Sequence, residues 1–210
     1  MKKGIFISIE GPDGSGKSTQ IENIKEYFKE KNIDIVFTRE PGGTPISERI
    51  RDIILDINNK EMCDMTEALL YAASRAQHVE EVIKPALKSG KVVICDRFVD
   101  SSIAYQGYGR ELGEKVTIIN EYAIDNCMPD ITFLMVLDPE VGISRMINRG
   151  KLDRLEVEKV SFHKKVFSGY LELEKKYPNR IVAINADRSI EEIKKDIYEK
   201  LDNYLKGHEF

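Results

Sequence analysis

The sequence predicts an α/β fold: one five-stranded parallel sheet flanked by helices on both faces. Two observations lead to it. Short β-branched runs alternate with longer stretches whose apolar residues recur at helical spacing. The first of these runs is apolar on both of its sides, as a strand buried within a parallel sheet is. A third observation bears on domain organisation. No Pro/Gly-rich linker, internal repeat or low-complexity tract interrupts the 210 residues, so a single domain, 1–210, is expected.

The elements follow in order. "GIFISI" (4–9) is the first strand. The leading "MKKGIFISIEG" starts like a secretion signal, but its apolar stretch is short and runs straight into a glycine-rich loop, so it reads as the opening strand of a cytoplasmic protein. After the loop, "STQIENIKEYFKEKN" places Ile21, Ile24 and Phe28 on one helical face. "IDIVFT" (33–38) is the second strand, and helices are expected at about 45–56, 64–76 and 77–89. "KVVICD" (91–96) is the third strand; a helix carrying Ser101, Ser102, Tyr105 and Gln106 follows, then one over about 112–127. "ITFLMVLD" (131–138) is the fourth strand and "RIVAIN" (180–185) the fifth, with helices near 139–148, 156–177 and 189–205. The charged segment "NRGKLDRLE" (148–156) is the candidate for a short mobile insert. Right-handed crossovers in such a sheet bring loops and ligands to the carboxyl ends of the strands.

Composition excludes several classes. Hydrophobic residues make up 41% and charged residues 32%, with a net charge of -4, so the basic excess of a general nucleic-acid binder is missing. No apolar run approaches the ~18 residues of a membrane span. Neither nucleic acid nor membrane is expected as a partner. Cys63, Cys95 and Cys127 are odd in number, far apart and outside any CxxC pair, which argues against a disulfide framework or a zinc site. His78, His163 and His208 show no metal-ligand spacing.

The loop "EGPDGSGKST" (10–19) carries the strongest chemical signal. Gly11, four residues, then Gly16-Lys17-Ser18 fits G-x-x-x-x-G-K-[ST], between a strand and a helix. Glycines let the backbone curl so that successive N–H groups face one anion, and the helix start adds its positive dipole end. Gly11, Pro12, Asp13, Gly14, Ser15, Gly16, Lys17, Ser18 and Thr19 are therefore the candidate residues for a nucleoside triphosphate, with Lys17 on the β- and γ-phosphates and the Ser18 hydroxyl on Mg²⁺. Pro12-Asp13-Gly14 is also an ordinary turn signal. The loop alone does not say where the phosphate goes.

"ICDRFVDSSIAYQGYGR" (94–110) supplies the second site. Asp96, at the end of the third strand, suits Mg²⁺ held through water, and the Arg97 fork suits two phosphates. Ser102, Tyr105 and Gln106 share a helical face with a hydroxyl, a ring and an amide, a kit for reading a base and a sugar. On periodicity alone Tyr71 and Tyr105 read as core aromatics, and Arg51 as one more charge on an amphipathic helix.

"EGPDGSGKST", "TREPGGT" (38–44), "TEALLYAASRAQH" (66–78), "DRFVDSSIAYQG" (96–107), "NRGKLDRLE" and "FHKKVFSGYLEL" (162–173) stand in the order of one family, and the chain resembles the bacterial-type thymidylate kinases over nearly its full length. The resemblance implies a P-loop kinase fold with a short lid at about 148–156. It implies transfer of the γ-phosphate of ATP to dTMP, giving dTDP for dTTP biosynthesis, with Mg²⁺ and usually as a homodimer. It gives Arg97 both phosphates, Arg51 the dTMP phosphate, Tyr71 the stack on thymine, and Arg75, Ser102 and Gln106 the base. Tyr105 would lie under the deoxyribose, Asp13 and Glu40 would contact the sugar end or orient the arginines, and Arg39 also belongs to the dTMP site. Some family members put a catalytic arginine in the glycine loop; here that position is Ser15, and the lid carries Arg149, Lys151 and Arg154, with Arg154 the first candidate and Arg149 the second. Two other readings are a kinase for another nucleotide or nucleoside and a nucleotide-dependent switch. The switch lacks an NKxD-type guanine motif.

Overall fold

The computed structural model describes residues 4–149 and 153–206, apart from the side chains of Met146, Asn148 and Arg149. Five parallel strands stand in the order β2-β3-β1-β4-β5: β1 (Ile5–Glu10), β2 (Ile35–Arg39), β3 (Val92–Asp96), β4 (Ile131–Val136) and β5 (Ile181–Asn185). Strand alternation divides the core. Ile5, Ile7 and Ile9 with Val92 and Ile94 face α1 (Lys17–Glu30) and α9 (Ile190–Leu205), where Ile21, Ile24, Phe28 and Ile197 complete one cluster. Phe6, Val93 and Cys95 face the other way, against Val79, Ile83 and Phe98. Burying either layer removes apolar surface worth roughly 25 cal/mol per Å², and the period-2 pattern fixes which residue goes to which side.

Helix ends obey local chemistry. α2 (Pro45–Leu55) opens with Thr44, whose hydroxyl accepts from Ser47 N at 3.1 Å, and with proline at the first helical position. α9 opens with a capping box between Ser189 and Glu192. α7 spans Pro139–Arg149.

Several boundaries differ from the sequence expectation. The helices expected at 64–76 and 77–89 are one continuous run. α3 (Asp64–His78) widens into a π turn over Val79–Ile83 and continues as α4 (Lys84–Lys88). Pro85 has no N–H for the carbonyl four residues back, and the helix opens just before it. After β3, α5 (Val99–Ser102) likewise passes into a π stretch, Ile103–Gly109. α6 is Glu114–Ile124, bounded by Gly113 and Asp125 with φ of 61° and 43°. α8 is Val160–Lys176 and starts later than expected, because the segment before it folds as turns around Asp153, whose carboxylate accepts from Leu155 N and Glu156 N at 2.9 and 3.0 Å. β1 extends to Glu10, which the sequence reading left to the loop, and β4 stops at Val136 rather than 138. Among the described residues no helix is long and apolar enough to cross a membrane.

The parallel register sets Ile9 beside Asp96 and Arg39 beside Asp96. Backbone bonds lock the strand exits: Arg97 N donates to Ile9 O at 3.0 Å and Glu40 N to Asp96 O at 2.9 Å. β3 and β4 flank β1, so connections leave the centre in opposite directions and open a crevice at the carboxyl ends.

Candidate active site

A cleft of about 380 Å³ occupies that crevice. The glycine loop forms one end. Gly16, with φ of 89°, precedes α1, and no side chain caps that helix, so its first N–H groups are left for an anion. Gly14 and Gly142 touch backbone to backbone: a Cβ on Gly14 would lie 2.3 Å from Gly142 O, and one on Gly142 2.5 Å from Asp13 O. Lys17 folds back, donating from Nζ to Gly11 O at 3.0 Å and Pro12 O at 2.9 Å. Burial and the neighbouring Arg97 charge push its ammonium down to about 8.

Arg97 sits between the two ends. Its guanidinium donates to Gly11 O at 2.8 Å, to the hydroxyls of Ser101, Tyr105 and Tyr170, and to the Asp13 carboxylate. Tyr105 OH donates to Asp13 Oδ2 at 2.6 Å. Burial opposes the charge on Asp13, but Arg97 and Lys17 with these hydrogen bonds outweigh it and hold the carboxyl well below the usual carboxylate range. Behind Arg97, Glu10 is fully buried and accepts from Phe98 N at 2.7 Å and from Ser101. Burial, with the charge of Asp100, pushes it up to about 7.

The far end gathers the remaining expected residues. Arg39 and Arg51 both donate to Pro41 O, at 3.0 and 2.8 Å, and line the cleft together. Burial first, and then the Arg39 charge, lowers Arg51 from its ordinary value. Two guanidinium groups converging on one carbonyl make a site for an anion. Arg75 is 1% exposed and spans Glu40 Oε2 (2.7 Å), Ser102 Oγ (3.0 Å), Phe98 O (3.1 Å) and Asn120. His78 completes this set: Nδ1 lies 2.9 Å from Glu40 Oε1 and Nε2 2.6 Å from Thr38 Oγ1. Tyr71, Ser102, Tyr105 and Gln106 line the same wall.

Of the glycine-loop residues, Asp13, Gly14, Gly16, Lys17 and Ser18 line the cleft; Gly11 reaches it through the carbonyl that Arg97 holds, while Pro12, Ser15 and Thr19 are not on its walls. Arg154 is not on them either: it donates to Ile54 O at 2.8 Å and to Glu67 at 2.7 Å. The Arg149 side chain and Lys151 lie outside the described residues. Asp96 lines the cleft with Oδ1 shielded from solvent and without a partner among the described residues, and the Ser18 hydroxyl lines the same space. A carboxylate and a hydroxyl fit a hard divalent cation that takes oxygen ligands and water.

Glu10, Glu67, His78, Tyr170 and Asp153 were not among the site residues expected from sequence. Glu10 had a readable signal, a carboxylate ending an otherwise apolar buried strand. The rest are polar positions on helices or in turns whose partners are distant in sequence.

A glycine loop between β1 and α1, an arginine at the end of the neighbouring strand and a second anion site in one cleft define a P-loop nucleotide phosphotransferase. The comparisons narrow the class. The thymidylate kinase family model matches residues 9–197. Thymidylate kinase of Clostridium novyi (strain NT) is 52% identical over 209 residues, covering 98% of this chain and 100% of the relative. That of Lactobacillus acidophilus is 51% identical over 207 residues, covering 97% and 96%. The crystal structure of thymidylate kinase from Ehrlichia chaffeensis superposes with a TM-score of 0.77 at 34% identity, covering 95% of this chain and 99% of that one. The chain belongs to the thymidylate kinase family.

Proposed function

We propose that this protein transfers the γ-phosphoryl group of ATP to dTMP, giving ADP and dTDP for dTTP synthesis. The observation that carries the reading is one cleft walled by Lys17 and the glycine loop at one end, by Arg39, Arg51, Tyr71 and Arg75 at the other, and by Arg97 between them. ATP lies on the loop, with its terminal phosphates on the α1 N–H groups and Lys17. The dTMP phosphate lies on Arg39 and Arg51, and its base between Tyr71 and the polar groups of Arg75, Ser102 and Gln106. Arg97 exchanges its protein partners for phosphate oxygens and stabilises the charge in transfer. The acceptor is itself a phosphate anion, so no general base is needed; positioning two polyanions is the task. Mg²⁺, held by Ser18 and through water by Asp96, supplies charge neutralisation on the donor phosphates when bound. Arg154 and Arg149 remain the lid arginines for the γ-phosphate. The bonds of Arg154 to Glu67 and Ile54 add a positioning role for it.

The test is ADP formation from ATP and a divalent cation with dTMP, dUMP, dCMP, dGMP, AMP and thymidine as separate acceptors. Turnover should strongly favour dTMP and cease on chelation of the cation. Hydrolysis independent of acceptor would send the phosphate to water and remove the reading. We also read the protein as a cytoplasmic homodimer. Leu69 on α3 and Ile118 and Tyr122 on α6, which packs against α3, are exposed apolar side chains, Tyr122 at 84%, and these support pairing with a second copy. Sedimentation as a single species near 24 kDa would remove that part.

A further inference from the structure

Glu67 is the most densely bonded carboxylate that the mechanism above does not use. It lies on α3 one turn before Tyr71 and is 1% exposed. Its Oε1 accepts from Gln106 Nε2 at 2.9 Å and Arg110 Nε at 3.3 Å; its Oε2 accepts from Arg110 Nη2 at 3.1 Å and Arg154 Nη2 at 2.7 Å. Burial works against its charge, but the hydrogen bonds and charge of Arg110, with Gln106 and Arg154, outweigh it and hold the carboxyl below its ordinary value. An ionised carboxylate only accepts hydrogen bonds. The amide end of Gln106 that faces it must therefore be the NH₂ group, because the reverse orientation sets two oxygens against each other.

The other end of the same amide is then fixed as well. Gln106 is 1% exposed and lines the cleft, and its Oε1 is buried with no partner among the described residues. We propose that Glu67 is a specificity-positioning residue: it holds Gln106 with the carbonyl oxygen as the group offered to the base, so that the site selects a pyrimidine whose ring nitrogen N3 carries a hydrogen. The inference rests on the reading that the acceptor is a pyrimidine nucleotide. Thymine presents N3–H and satisfies Oε1. Cytosine presents a lone pair at N3, which leaves two acceptors face to face at a buried Oε1. A site built to hydrogen-bond one partner rejects the analogue lacking it far more strongly than apolar packing does. Arg154 and Arg110 tie the same carboxylate to the lid, which carries Arg154, and to the turn after it, where Arg110 pairs with Glu158.

The test is the ratio of kcat/KM for dTMP to that for dCMP in the wild type, Glu67→Gln, Gln106→Met and the double variant. A glutamine at 67 offers either a donor or an acceptor and frees Gln106 to turn. The ratio should fall by about tenfold or more, chiefly through a higher KM for dTMP with kcat changed less. In the Gln106→Met background the same change at 67 should leave the ratio where it was. An unchanged ratio in Glu67→Gln, or an equal fall with and without Gln106, overturns the inference. Should Glu67→Gln not fold, Glu67→Asp keeps the charge for both arginines while withdrawing the carboxylate from Gln106, and the ratio must fall there too. A wild type with no preference for dTMP over dCMP brings down the functional reading itself; a wild-type preference that survives in the Glu67 variants brings down only the role of Glu67.

Discussion

Arg97 holds a backbone φ of 66°, in the left-handed region that a side chain with a Cβ seldom adopts. Such a residue costs on the order of 1 kcal/mol or more, and the surrounding bonds have to outweigh that. Here they do so through the guanidinium, which reaches Gly11, Ser101, Tyr170 and Asp13. Backbone and side chain therefore make separable demands. Arg97→Gly relieves the first and removes the second. It should stay folded, as read by its thermal midpoint, while kcat falls by roughly 10³-fold; near-normal turnover would remove the residue from the reaction. Much of the site was legible at this scale, because Lys17, Ser18, Arg97 and Gln106 stand in short motifs that sequence displays directly. Glu67 and His78 stand in a quoted motif too, yet nothing local says what they hold. Their partners are 39 and 38 residues away and meet only once the sheet has formed.

At the scale of elements, the strands were legible because a buried parallel strand is a short run of β-branched residues, and all five runs are in the sheet. Helix interiors were legible by the same logic of period. The two π stretches were not, since one wide turn shifts the apolar face by about a single residue, too little to stand out in a short stretch. The start of α8 was read too early, at 156 rather than Val160, because the turn in which Asp153 and Glu156 bond each other's backbone is set by local polar bonds that no apolar period displays. The contact between the glycine loop and α7 yields a prediction. Gly142 lies inside a helix, where alanine is the better former by about 1 kcal/mol. Yet a methyl group there would stand 2.5 Å from Asp13 O. Gly142→Ala should therefore raise KM for ATP several-fold even though it improves the helix. An unchanged KM would mean that the loop yields without consequence.

For the whole molecule, the buried acid Glu10 links global stability to pH. Its folded value of about 7 lies above the ordinary 4.5. Between those values the native state keeps a proton that the unfolded chain has lost, so this contribution to stability is complete below 4.5 and declines as pH rises to about 7. Denaturant titrations at about pH 5 and about pH 8 should show the wild type losing stability relative to Glu10→Gln. An equal difference at both pH values would show that Glu10 is ionised throughout. The same scale reconciles the net charge of -4 with a cleft lined by Lys17, Arg39, Arg51, Arg75 and Arg97. The surface repels polyanions in general, and the crevice admits those that fit it.

Asp13 gives that crevice a further property. With the Asp13 carboxylate on Arg97 and the Tyr105 hydroxyl, and with Lys17 bonded to loop carbonyls, Arg97 holds a counter-ion and Lys17 holds neutral acceptors that phosphate oxygens would replace. Binding is thus a ligand exchange rather than the filling of a bare positive hole. A small anion such as inorganic phosphate would have to dislodge these internal partners with few contacts of its own. A nucleotide brings a base, a sugar and a chain of phosphates to the same exchange. Asp13 thus competes with incoming phosphate oxygens for Arg97, and a nucleotide, with more contacts to offer, gains more from that exchange than a simple anion does.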